Sequence, residues 1–118
     1  MAQLPFQFGE SPPKAPARLP SYIEGHRKRL RRRFVEGGAS AMPDYELLEL
    51  MLFRAIRQCD VKPVARQLID TFGDFSSVIS APVTQLTAIE GVGEAVATEL
   101  KIVEAAAHRL AQRRVLSR

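Results

Sequence analysis

The stretch LTAIEGVGEAVATEL, residues 86–100, decides how this chain folds. Leu86 and Ile89 stand three apart before two glycines, and Ala97 and Leu100 follow Gly93 at four and seven residues. Both flanks therefore carry apolar residues at helical spacing, and the segment Gly91-Val92-Gly93 has to fold one flank onto the other. Glycine suits such a turn because it takes positive φ and lets another body approach the backbone, while the small Ala97 permits close helix contact. A helix starting near Gly93 presents unpaired N–H groups at its positive end. Gly91, Val92 and Gly93 together make a cradle for one phosphate oxygen, and neighbouring carbonyls offer ligands to a monovalent cation. No base edge is read by such a cradle, so binding there is positional and independent of sequence.

Working outward, the same periodicity places further helices. In EGHRKRLRRRFVEGG, Leu30, Phe34 and Val35 share one face of a short basic helix that stops at Gly37 and Gly38. MPDYELLELMLFRAI has apolar residues around most of its circumference, which predicts the most buried helix, with Pro43 in its first turn. A third helix runs from Asp60 as N-cap to Gly73, with Pro63 tolerated in the first turn. Asp74 caps a short helix over FSSVIS, and Pro82 opens another over PVTQLTAI. The last helix starts near Gly93, carries Val96, Ala97, Leu100, Val103, Ala107 and Leu110 on one stripe, and collects Lys and Arg toward its negative end. No segment alternates with a strand period. The expected fold is all-α, a compact bundle of five or six helices.

The apolar and glycine spacing from Leu86 to Leu100 resembles the helix-hairpin-helix motif. A degenerate second copy is expected upstream, where Leu48 and Met51 mimic Leu86 and Ile89, and Ala65 and Leu68 mimic Ala97 and Leu100 across a longer connection without glycine. The core then reads as a tandem of the two, braced by the basic helix. Glu90 and Glu94 bracket the intact hairpin, where carboxylates oppose a phosphate. A purely structural interhelical turn is the other reading of the glycines.

Five of eight prolines fall in the first 20 residues, so residues 1–21 read as a flexible tail before a helical domain at 22–112 and a basic end at 113–118. The absence of Trp and the presence of two Tyr argue against a base-stacking reader. One cysteine, Cys59, excludes an internal disulfide, and no run is long enough to span a membrane. A cytoplasmic location is expected. The net charge of +4 is polarised: residues 1–43 hold eight Lys or Arg against three Asp or Glu, residues 44–100 four against nine, and residues 101–118 five against one. Opposite fields on one small body steer a polyanion or an acidic partner to one part of it.

The stretches GHRKRLRRRF, DYELLELMLFRAI, DVKPVARQLIDTFGDFSSVISAP and LTAIEGVGEAVATELKIVEAA together look like the N-terminal domain of the RadC family of DNA-repair-associated bacterial proteins. In that family the helical domain precedes a JAB metalloprotease-type domain with a zinc site of paired histidines, a serine and an aspartate. The only histidines here are His26 and His108, so that zinc chemistry is not carried over, and the sequence reads as the N-terminal module alone. The resemblance implies a nucleic-acid-associated role.

The candidate DNA-binding residues are thus Gly91, Val92 and Gly93 at the hairpin, and Arg27, Lys28, Arg29, Arg31, Arg32 and Arg33, six cations in seven positions. The basic run has two destinations, phosphate or the acidic middle of the chain itself. His26 reads as a cap or surface residue, and no residues combine into an enzyme site. The leading expectation is a sequence-nonspecific DNA-binding accessory module associated with repair. The alternative is a protein-interaction or scaffolding module, with a structural hairpin, that positions a JAB-type domain or another protein.

Overall fold

The computed structural model describes residues 19–116, so the expected tail lies outside the described residues up to position 18, as do positions 117 and 118. Six α-helices and a 3-10 turn make up the described chain, with no strand among those residues: α1 (Ser21–Gly37), the 3-10 turn (Ala39–Ala41), α2 (Asp44–Leu52), α3 (Lys62–Phe72), α4 (Phe75–Ser80), α5 (Val83–Leu86) and α6 (Glu94–Leu116). The fold is all-α. α2 sits at its centre, packed against α1, α3, α4 and α6. No residue from Tyr45 to Phe53 is fully exposed, as expected for an apolar circumference.

Every α-helix contributes to the core: Leu30 of α1, Leu48 and Leu52 of α2, Leu68 of α3, Val78 of α4, Leu86 of α5, and Val96, Ala97 and Leu100 of α6. Polar contacts fix the angles between elements. Asp44 at the start of α2 accepts from the Phe75 N–H (3.0 Å), and Lys101 of α6 donates to the Ala81 carbonyl (2.7 Å) beyond α4. Asp74 caps α4 as expected, accepting from the Ser77 N–H at 2.8 Å, a bond that holds its carboxyl below the usual range.

Local expectations shift where tertiary contacts intervene. The α-helix expected through Ile56 stops at Leu52, where the Arg54 and Ala55 N–H groups bond carbonyls three residues back, and beyond it the carbonyls of Ile56 and Cys59 accept from the Arg27 side chain. Asp60 does not cap α3 but accepts from the Lys62 N–H two residues on, and Val61, 1% exposed, takes the N-cap position. On α1 only Leu30 of the expected apolar face is buried; Phe34 and Val35 are exposed, at the end of α1 that packs chiefly on α2 and the 3-10 turn. The α6 stripe enters the core at Val96, Ala97 and Leu100 and is half-buried at Val103, whereas Ala107 and Leu110 are exposed because the helix runs past its neighbours.

Candidate nucleic-acid interface

The hairpin follows from a short backbone register. The Ile89 N–H bonds to the Leu86 carbonyl and the Val92 N–H to that of Ile89, which turns the chain after α5; the Ala97 N–H then bonds to Gly93 O and starts the α6 ladder. The first amides of α6 have no carbonyl four residues back to bond. Val92, 4% exposed, is driven into the core between the two exposed glycines. The glycines differ in their reasons. Gly91 has φ of 90°, and a Cβ there would stand 2.9 Å from Val64 Cγ2 of α3. Gly93 has no positive φ, and a Cβ there would meet nothing within 4 Å. Gly91 is therefore demanded by the fold and Gly93 is not.

This contrast predicts that Gly91→Ala lowers stability by about 1–2 kcal/mol, from the left-handed backbone and the Val64 contact. Gly93→Ser stays within about 0.5 kcal/mol of the parent, since serine is accepted before the first helical residue. Urea unfolding of the two variants followed by helix ellipticity checks both values.

The two helix pairs α2–α3 and α5–α6 have matching burial. Leu48 and Leu86 are both 0% exposed, Met51 and Ile89 both half-buried, Ala65 and Ala97 0% and 2%, and Leu68 and Leu100 both 0%. The connection Phe53–Val61 takes the place of the glycine turn in the first pair, and it is stabilised from outside. Arg27 of α1, 5% exposed, donates through Nη2 to Ile56 O (2.8 Å) and Cys59 O (2.7 Å), and through Nη1 to Arg57 O (3.4 Å). Burial, then the charge of Arg31, pushes the Arg27 guanidinium below its ordinary pKa. Of the six cations in the basic run, Arg27 is thus a buried clamp, while Lys28, Arg29, Arg31, Arg32 and Arg33 are exposed.

Of those five, one reaches the acidic middle. Arg33 pairs with Glu46, Nη1 donating to Oε2 at 3.0 Å with Nη2 2.7 Å from Oε1, and its pKa is raised by that bond and charge. Lys28, Arg29, Arg31 and Arg32 make no ion pair among the described residues. His26 is not a cap or a free surface group: its Nε2 lies 3.0 Å from Oε1 of Glu49, a carboxylate only 1% exposed on α2. Tyr45, one turn earlier, has its hydroxyl pushed up to about 12 by burial first and then by Glu49.

The sequence reading missed Arg54 and Arg57. With Arg27, Arg31, Leu50 and Phe53 they line a cavity of about 610 Å³ between α1 and the end of α2. Phe53 forms its aromatic wall, with Arg27 Cζ 4.6 Å and Arg31 Cζ 5.5 Å from the ring centroid. The signal in the sequence was the pair of arginines three apart directly after an apolar helix, but nothing local says that they face α1. The basic helix lines this cavity and the hairpin does not; Arg54 links the two regions, since its Nε lies 3.7 Å from Glu99 and it borders a second recess with Glu94 at the start of α6.

A family model described as UPF0758 N-terminal matches residues 25–98, from α1 through the hairpin into α6. The chain belongs to the UPF0758 family. A UPF0758 protein of Ruegeria pomeroyi is 65% identical over 100 residues, covering 85% of this chain and 45% of that protein. Another, from Rhodobacter capsulatus, is 66% identical over 89 residues, 75% of this chain and 42% of its own length. The chain therefore spans less than half the length of these UPF0758 relatives. No solved structure matches. The UPF0758 N-terminal match takes in every candidate residue described above and stops before the exposed half of α6.

Proposed function

We infer that this domain binds the DNA backbone without sequence preference, as an accessory module associated with repair, using the exposed cations of α1 and the amides of a helix-hairpin-helix turn at Gly91–Gly93. The observation that carries this reading is the state of the basic run. Arg33 spends its charge on Glu46, and Arg27 bonds loop carbonyls, but four adjacent cations remain solvated and unneutralised. Such a density of like charge is self-repelling and gains from a polyanion whose condensed counterions it can release. Gly93 adds an uncrowded approach to the amides that open α6. Carbonyls of the same turn are the place where a monovalent cation would assist the phosphate.

The test is fluorescence titration of duplex and four-way-junction DNA at about 50 and 200 mM salt. Neutralising Lys28, Arg29, Arg31 and Arg32 to glutamine is expected to weaken binding by about a hundredfold at the lower salt and to flatten the slope of log K against log[salt] by about one per lost phosphate contact. The hairpin is tested separately by Gly93→Ser, whose hydroxyl competes for the same amides as a phosphate oxygen while leaving the fold intact. Binding that survives Gly93→Ser but not the cation variant would assign the contact to α1 alone.

A second reading keeps the hairpin structural and makes the module a scaffold for a JAB-type domain or another protein. Exposed Glu90 and Glu94 at the hairpin, and exposed Ile102, Leu110 and Val115 on α6, favour it. Exchanging Glu90 and Glu94 for lysine strengthens DNA binding if the turn meets phosphate and leaves it unchanged if the turn meets protein.

A further inference from the structure

The arginine-lined cavity between α1 and α2 is a second cationic feature, which shares Arg31 with the exposed run of α1. Four of its six lining residues are arginines, and no carboxylate lines it. Two of the guanidiniums already lie against the Phe53 ring, and one of them is fixed by hydrogen bonds as well. Arg27 is fixed by three carbonyls and by Phe53, and Arg31 lies over the same ring, itself 5% exposed. The other two stand ready at the rim: Arg57 is exposed, and Arg54 has only the 3.7 Å contact to Glu99, with its side chain 80% exposed.

A second observation points the same way. Arg27 Nε is buried and has no hydrogen-bond partner among the described residues, an unsatisfied donor on a charged side chain at the wall of the cavity. Buried polar groups are nearly always paired, so this lone donor leaves a lining arginine with bonding capacity still unused. Glu49 Oε1 lies 3.0 Å from His26 Nε2 and Asp60 accepts from the Lys62 N–H, so both carboxylates have other partners.

Convergent guanidiniums in a recess suit a group with several acceptor oxygens and a double charge, which a terminal phosphate has and a backbone diester has not. We propose that the cavity formed by Arg27, Arg31, Arg54 and Arg57 over Phe53 binds a phosphate monoester. Its sources are the phosphorylated 5′ end of a nucleic acid or a free phosphate ester. The nucleic-acid form rests on the function proposed above, placing a broken end in the cavity while α1 follows the adjoining backbone; the free-ester form does not.

The experiment compares one duplex carrying either a 5′-phosphate or a 5′-hydroxyl, at fixed salt, and follows arginine Nε–H resonances on titration with inorganic phosphate and with a mononucleotide. Arg54→Gln with Arg57→Gln is the test variant, since both side chains are exposed; Lys62→Gln with Arg109→Gln, two exposed cations outside both the cavity and α1, is the charge-matched control. The expected result is about tenfold tighter binding of the phosphorylated end, lost in the double variant and kept in the control. A free-ester site instead gives resonance shifts with mononucleotide and equal affinity for the two duplexes, and the double variant abolishes the shifts. Equal affinity for the two ends together with unshifted arginine resonances overturns the proposal, yet leaves backbone binding by α1 standing if both duplexes still bind with a steep salt slope. Loss of all duplex binding with resonance shifts retained overturns the function proposed above and keeps the phosphate site.

Discussion

Arg27→Met will lower the stability of the domain by about 3 kcal/mol, a larger cost than any other change in the basic run. The side chain is 5% exposed and closes the connection between α2 and α3 through three carbonyls, so its loss leaves Ile56 and Cys59 oxygens without their donor. Methionine keeps the length and the packing on Phe53 but supplies no N–H. Arg27→Lys keeps a charge but not the fork that spans Ile56 and Cys59, and is expected to lose about half as much. Urea unfolding gives the free energies, and amide exchange supplies the local check: protection should fall first over residues 53–61. Arg32→Ala, on the exposed side of the same helix, should change stability by no more than about 0.5 kcal/mol.

Leu100→Ala is the second large effect, expected at about 3 kcal/mol with a fall in melting temperature of roughly 10 °C or more. Leu100 is 0% exposed and belongs to the core that α6 shares with α2, α4 and α5, so its removal opens a cavity where four elements meet. Leu110, ten residues later on the same stripe, is 54% exposed, and Leu110→Ala should stay within about 0.5 kcal/mol. Thermal and urea melts of the pair measure how far along α6 the domain's own core extends. A large loss from Leu110→Ala would mean that the second half of the helix is covered in solution.

The hairpin was legible because its determinants are local. Apolar spacing on both flanks and the need for a positive φ are properties of 15 consecutive residues; the structure starts α6 at Glu94 as that spacing implies, but ends α5 at Leu86, so that Ile89 lies in the turn rather than on the helix. The unequal duty of the two glycines was not legible: the clash that makes Gly91 obligatory comes from Val64, 27 positions away. The same limit applied to α1. Its charge run pointed to phosphate or to the acidic middle of the chain, yet Arg27 and His26 face inward to the Cys59 carbonyl and Glu49.

By itself, then, the sequence determined the all-helical class, the order of helices, the Asp74 cap and a turn between α5 and α6, because helical periodicity, capping and backbone freedom act within a few residues. Only the tertiary structure decided which cations stay in solvent, that Glu49 is buried against His26, where α2 ends, and that Arg54 and Arg57 join Arg27 and Arg31 around Phe53. Those outcomes depend on which faces of α1 and α2 meet. A single arginine buried at that contact redirects loop carbonyls and gathers charges that stand about 30 positions apart in the chain, and no local pattern carries that information.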